Sequence, residues 1–579
     1  MYADLAFELD RLPNENRGPV RNRRLVVSAA LVAAGVGLVP GTAQAAGPAA
    51  PAAHGVAAPG TTADRAGGPT SETFHSAGDR TVVTPSAGAE TGKGASARAQ
   101  GAAGQAAPVI ELDAYAVSAH KIDLVTAVTG AGADLDVTVS WGDGVTENPT
   151  ASGGDHRNLV HTYAEVGAYT VTVTVKDTKN NVQAVNQIEV VTAGGEFTPV
   201  APARLLDTRA GIGGAKAKVG GRGSVSLKIG GTGAIPAGVT AVVLNVTVTN
   251  TTEAGHIAVQ PGRDYVDPET SNLNYTAGQS VPNLVIVQVK DGWVHLVNGG
   301  WAPVDLIADV TGYFTASSAS GYTTLSPVRA VDTRSGLGAP KGQVAGQANL
   351  GVTVADRNGV PKGATAVALN LTVTNPKEAG HLTVYPGGQQ APSTSSVNFA
   401  AGQTVANSVI VPVGPDGKIV VRNGSWQPAD VVIDVVGYYS PDSQAALWPI
   451  GPYRLIDTRE DTWYRKAGPV AAREYLPLPL MGDSASPVDG WALNVTVTNT
   501  RDVGFLSVSP DPNTWPDYQK GTQVTPARPV SSSLNWTAGQ TVPNLVQTSG
   551  GKGDVIDFWN QGWQSVDVVV DSLGIYQKD

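Results

Sequence analysis

Cysteine is missing from all 579 residues, and methionine occurs only twice. Without a thiol there is no disulfide to staple the fold, no thiolate nucleophile, no Cys-ligated zinc and no lipid-modified cysteine anchor. Charge is scarce as well: Asp, Glu, Lys and Arg make up 15% of the chain, with a formal net charge of −10. No cluster of Lys and Arg stands ready to meet phosphates, so a nucleic-acid partner is not expected. Beyond Leu38 no apolar run is long enough to span a bilayer, so the mature chain is expected to carry no transmembrane segment. Catalytic signatures are absent too: there is no G-x-S-x-G elbow, no H-E-x-x-H and no Walker loop. What the chain has in quantity is glycine (69) and proline (39), which suit short strands joined by many turns and argue against long helices. A chain of this length should divide into several domains.

Residues 1–45 read as a signal peptide. Arg17, Arg21, Arg23 and Arg24 form a basic region, the apolar run Leu25–Leu38 follows, and Ala43-Gln44-Ala45 offers a small-x-small cleavage site. The Arg23-Arg24 pair leaves both the general and the twin-arginine export routes open. Residues 46–107 are rich in Ala, Gly, Pro and Ser and poor in large apolar side chains. Such a segment buries too little surface to offset chain entropy and is expected to be a disordered linker.

Residues 108–193 alternate in the period of a β-strand, as in Asp136-Val-Thr-Val-Ser140 and Tyr169-Thr-Val-Thr-Val-Thr-Val175. Trp141-Gly-Asp-Gly144 supplies a tight turn, and His161-Thr-Tyr163 is followed by Gly167-Ala-Tyr169. The segment resembles the PKD (polycystic kidney disease) domain, with its W-x-F-G-D-G motif compressed to W-G-D-G. The resemblance implies an immunoglobulin-like sandwich that serves as a spacer or interaction module.

The remainder is one unit written three times. Arg204-Leu-Leu-Asp-Thr-Arg209 recurs as Arg329-Ala-Val-Asp-Thr-Arg334 and as Arg454-Leu-Ile-Asp-Thr-Arg459, at intervals of 125 residues. Leu244–Asn250 returns as Leu369–Asn375 and Leu493–Asn499, and Leu273–Gln279 as Val397–Gln403 and Leu534–Gln540. A period this long is a whole domain and not a solenoid turn. About eight apolar-alternating strands per unit predict antiparallel, jelly-roll-like β-sandwiches over 197–316, 321–440 and 446–579. The fold class is therefore all-β. With D-T-R near the start, A-G-Q-T-V-x-N in the middle and D-V-x-G-Y-F at the end, the units resemble a repeat of secreted actinobacterial proteins. The third departs most, with extra residues around Asp511–Arg528, and is read as the atypical end of an array.

Among polar residues, the carboxylates of Asp309, Asp434 and Asp571 call for cations. Arg204, Arg209, Arg329, Arg334, Arg454 and Arg459 supply them, with Asp207, Asp332 and Asp457 beside the arginines. Structural Arg–Asp bridges are the expectation. Asp305 and Asp309 lie about 13 Å apart along a strand, too far for a glycosidase pair. No metal or other cofactor is expected; calcium is left open, with Asp143, Asp305, Asp430 and Asp567 as its weak candidates. The N-x-[ST] triplets at Asn245, Asn274, Asn370, Asn494 and Asn535 read as polar outward faces of Thr-rich strands.

The strongest binding signal is a loop repeated as Asn298-Gly-Gly-Trp301, Asn423-Gly-Ser-Trp426 and Asn560-Gln-Gly-Trp563. Either each tryptophan folds back to plug its sandwich, or it lies open as a platform for a sugar ring, with the asparagine bonding hydroxyls. Third-unit tryptophans 448, 463, 491, 515, 536 and 559 make that unit the favoured ligand site. The sequence therefore predicts a secreted, non-catalytic binding or adhesion protein for extracellular polysaccharide, a cell-wall component or a surface protein. Any hold on the cell wall is expected to be non-covalent. A structural stalk is the alternative, and an unrecognised hydrolase the remaining one.

Overall fold

The computed structural model describes residues 73–86, 107–130, 135–151, 156–480 and 488–578. The expected signal peptide and most of the expected linker lie outside the described residues. The fold is all-β, with one short α-helix at Trp515–Lys520 and a single 3-10 turn at Gly78–Arg80 among the described residues.

The first sandwich pairs a sheet of Thr73–Ser76, Val109–Ala116, Lys121–Thr129 and His156–Thr162 with a second built on Val82–Pro85, Val182–Val191, Ala168–Asp177 and Leu135–Ser140. Two of these strands fall inside the segment 46–107 read as a disordered linker, so that reading is corrected for residues 73–85. Composition averaged over the segment hides two short β-capable stretches. Phe74 and Val83 lean on the sandwich core, and the Ser76 hydroxyl donates to Asn186 at 3.0 Å. Each stretch then gains a partner strand that satisfies its backbone.

Each repeated unit has eight strands. In the first they are Glu196–Asp207, Ser224–Lys228, Val239–Thr249, Gly255–Pro261, Leu273–Tyr275, Val281–Gln288, Trp293–Asn298 and Asp305–Thr315. One sheet runs first–eighth–third–sixth and the other second–seventh–fourth–fifth, which is the jelly-roll order. The other two units repeat it. In the third unit the first strand breaks into Ala446–Trp448 and Tyr453–Asp457, because Pro449 and Pro452 have no N–H to give the ladder.

The units do not form a linear array. The sheet holding the first, eighth, third and sixth strands turns its outer face inward, and the three such faces close on one another around a pseudo-threefold axis. Asn407 Nδ2 donates to Asn245 Oδ1, Asn544 to Asn370 and Asn283 to Asn494, each at 3.0 Å, so the contact passes from unit to unit and returns to its start. The backbone N–H groups of Leu284, Ser408 and Leu545 donate to Asn407, Asn544 and Asn283 at 3.3, 2.9 and 3.2 Å. A third cycle links the first strands: the N–H groups of Phe197, Tyr322 and Leu447 donate to Ser320, Ala445 and Gly195. Such head-to-tail contacts that close are the geometry of a cyclic trimer, here within one chain.

Between these polar rings lies an apolar hub of small residues (Ala241, Ala366, Ala368, Ala492) and aromatic ones (Phe197, Phe314, Tyr322, Tyr439, Tyr576). The aromatic ending of the repeat motif is therefore a hub residue: Phe314, Tyr439 and Tyr576 all lie in that cluster. Because the inward sheet is covered on both faces, its strands are buried almost without interruption. The Asn and Thr side chains at Asn245, Asn370 and Asn494 are buried there, which corrects the expectation of polar outward faces. The array reading of the third unit changes too: a ring has no last member, and the stalk alternative loses its linear scaffold. The first sandwich leans on this ring where the Ala119 N–H donates to Gln577 at 3.1 Å.

Candidate functional site

The Asn-x-x-Trp loops connect the seventh and eighth strands of each unit. Their tryptophans stand in solvent, with Trp301, Trp426 and Trp563 79%, 77% and 70% exposed. The asparagines do the opposite. Asn298, Asn423 and Asn560 are fully buried. Asn298 Nδ2 donates to the carbonyls of Val219, Gly220 and Ala302 at 3.2, 3.0 and 2.9 Å, while its Oδ1 accepts from the Gly300 N–H and the Tyr275 hydroxyl. Asn423 and Asn560 hold the same carbonyl sets in their own units. With their donors consumed by backbone, these asparagines cannot bond a sugar hydroxyl, which corrects their assignment as ligand contacts. They fix the loop on which the tryptophan stands.

A second loop reaches the same place, just before the second strand. Arg222, Gln347 and Arg473 occupy equivalent positions there, each in the left-handed region at φ 57°, 61° and 65°. Each also donates to the backbone of the tryptophan loop: Arg222 to Gly299 at 3.1 Å, Gln347 to Gly424 at 2.8 Å, Arg473 to Gln561 at 2.6 Å. The guanidinium of Arg222 lies 5.7 Å from the Trp301 ring centroid, and that of Arg473 lies 5.0 Å from Trp563. Sequence reasoning missed these residues. The signal was present in the aligned runs Val219-Gly-Gly-Arg222, Val344-Ala-Gly-Gln347 and Val470-Ala-Ala-Arg473.

The arginines and aspartates of the D-T-R motifs lie together. Arg204 spans both oxygens of Asp309 at 2.8 and 3.2 Å, and Arg209 spans both of Asp207 at 2.9 and 2.7 Å. Arg329 and Arg334 repeat this on Asp434 and Asp332, and Arg454 and Arg459 on Asp571 and Asp457. Hydrogen bonds from Arg209 hold the Asp207 carboxyl down at about 2, whereas burial pushes Asp309 up against the pull of Arg204.

The calcium candidates have their oxygens taken by hydrogen-bond donors. Asp305 accepts from Thr208 and Asn250, Asp430 from Thr333, Gln343 and Asn375, and Asp567 from Thr458 and Asn499. Asp143 accepts from the Val145 N–H at 3.0 Å and lies 2.7 Å from the His161 ring. These donors tie each of the four carboxylates to neighbours within its own domain. Among the described residues no group of three or more His, Asp or Glu side chains could hold a metal ion.

In the third unit Trp448, Trp491, Trp536 and Trp559 are buried, while Trp463 is 73% exposed. The extra residues of this unit form the Trp515–Lys520 helix, whose Trp515 and Tyr518 stack at 5.8 Å. Its neighbour Asp511 accepts from the Tyr518 hydroxyl, and burial together with Asp511 pushes the Asp557 carboxyl up to about 9.

Residues 105–192 match the PKD domain family. None of the curated proteins matches the chain. Among solved structures, one from work on the promiscuous specificity of carbohydrate-binding modules of the β-sandwich superfamily is 15% identical, covers 34% of this chain and 90% of its own, and has a TM-score of 0.13. The atomic structure of Sulfolobus turreted icosahedral virus is 9% identical over 66% of this chain and 90% of its own, with a TM-score of 0.14. A triple jelly roll from an archaeal virus is 12% identical over 57% and 85%, with a TM-score of 0.12. Likenesses this slight carry no functional argument.

Proposed function

We propose that this chain is a secreted, non-catalytic binding protein that holds polysaccharide of the extracellular matrix or cell envelope at Trp301, Trp426 and Trp563. The observation that carries this reading is the pairing of an exposed tryptophan with a fully buried asparagine anchor, three times on one closed ring. A tryptophan ring offers 150–250 Å² of largely apolar surface, worth several kcal/mol at roughly 25 cal/mol per Å² once covered. Sugar rings have apolar faces that cover such a surface. The buried asparagines hold the loops in place before a ligand arrives, so little ordering cost is left to offset binding. Three sites on one body then act together, because the first contact raises the effective concentration of the polymer at the other two.

The test is retention of the purified chain on insoluble polysaccharides and on cell wall. Replacing all three tryptophans with Ala is expected to lower retention by about a hundredfold, in keeping with the loss of linked sites. Unchanged retention of the triple variant would sink the reading. Binding to a surface protein instead, with no polysaccharide retained, would point to protein adhesion.

A further inference from the structure

The three tryptophan sites differ in charge, and the difference names a ligand class. We infer that the third site above all selects polysaccharides that carry negative charge, as uronate carboxylates or phosphodiesters. This inference rests on the proposed polysaccharide binding and specifies its chemistry.

The observations come from one position in three settings. Arg222, Gln347 and Arg473 share the same backbone conformation and make the same kind of bond to the tryptophan loop. Holding the loop therefore needs only a side-chain N–H, which Gln347 supplies. The guanidinium adds a full positive charge beside an exposed indole, on a chain whose net charge is −10.

At the first site this charge is partly answered within the chain, since Arg222 donates to Asp267 at 2.7 Å. At the third site the guanidinium of Arg473 meets the Gln561 carbonyl, and Arg528 stands beside it, bonded to the Arg473 carbonyl and 5.4 Å from the Trp559 ring. Among the described residues no carboxylate forms an ion pair with Arg473 or Arg528. A cation over an exposed tryptophan, with a second bonded to the backbone of the same arginine, suits a saccharide whose ring stacks on the indole while its acidic group meets a guanidinium. Arginine can make two parallel bonds to a carboxylate or a phosphate, which a neutral hydroxyl cannot match. At the second site Gln347 puts a neutral amide in that place, and the guanidinium of Arg422 is bonded to its oxygen at 2.8 Å, so this site is not without a cation.

The experiment uses the full chain and three soluble probes: polygalacturonate, a polysaccharide of phosphodiester-linked hexoses and neutral xylan, with affinity read by gel retardation at low and high salt. The chain is expected to bind both acidic polymers more tightly than xylan, with a preference that weakens as salt rises. The exchange Arg473→Gln should lower affinity for the acidic polymers by about tenfold, the worth of one charge-assisted contact. The reverse exchange Gln347→Arg should raise it. Both variants should unfold at the midpoint of the parent chain, since each side chain already serves in this fold.

Preference for only one of the two acidic polymers decides between carboxylate and phosphodiester and keeps the inference. Equal binding of acidic and neutral polymers, unmoved by either exchange, overturns it while leaving polysaccharide binding intact. No binding of any probe, together with no retention on insoluble polysaccharide, overturns both.

Discussion

Two regions of the repeated ring obey opposite rules. In the amide cycle at the axis the three units carry the same residues in the same roles: Asn245, Asn370 and Asn494 face Asn407, Asn544 and Asn283. At the outer loops they diverge, with Arg, Gln and Arg beside the tryptophans and an inserted helix in the third unit alone. The amide cycle has no room for difference because each of its amides is buried and must find its partner on the next unit. The loops end in solvent, where a charge can be added or removed without leaving a buried group unpaired. Packing thus fixes the ring and leaves variation to its periphery.

Breaking one link of the axis tests this most severely. Asn407 donates to Asn245 and to the Ser396 carbonyl, and it accepts from the Leu284 N–H. Asn407→Leu keeps a comparable volume but strands the partner groups on its own unit and on the first. A cost of about 3–5 kcal/mol is expected, as for the loss of a buried polar network, read from urea unfolding. A cost under about 1 kcal/mol would mean that the amide cycle does not hold the units together.

This contrast also explains what the sequence could tell. Alternation made the strands legible, and the 125-residue spacing made the units legible, because both arise from each unit's own core. Alternation says which side chains share a face, but not what covers that face. The Asn and Thr of Val239–Thr249 therefore read as solvent-facing until the neighbouring units are in place. The tryptophan loops were legible as a repeated feature. The division of labour within them was not, because an asparagine in turn-rich sequence serves a ligand or the backbone equally well until its partners are seen. Thr73–Ser76 and Val82–Pro85 were lost to averaging, since four residues hardly register in a segment of alanine and glycine.

A milder break concerns the third unit's insertion and depends on pH. The Asp557 carboxyl is pushed up to about 9 by burial and by Asp511. In the unfolded chain it releases its proton near pH 4. Between those values the folded form holds a proton that the unfolded form has lost, so the contribution to stability is complete below about pH 4 and drains away as pH rises towards 9. Asp557→Asn has no proton to lose, and its amide can still donate to Asp511. The variant should match the parent chain near pH 4 and exceed it near pH 9, in urea midpoints taken at both. A difference that is the same at the two pH values would show that Asp557 titrates as an ordinary carboxylate.

The smallest effect is expected at the periphery, and its smallness is the point. Trp426 is 77% exposed and, with Gln347 in place of an arginine, has no guanidinium over its ring. Folding has covered little of it, and Asn423 anchors the loop without its help. Trp426→Ala should therefore change stability by less than about 0.5 kcal/mol. Trp491, 2% exposed within the third unit's core, makes the matched control: Trp491→Ala should cost about 3–5 kcal/mol. If Trp426→Ala also cost more than about 1.5 kcal/mol, the ring would be a packed part of its sandwich, and surface free for a ligand would have to be sought elsewhere.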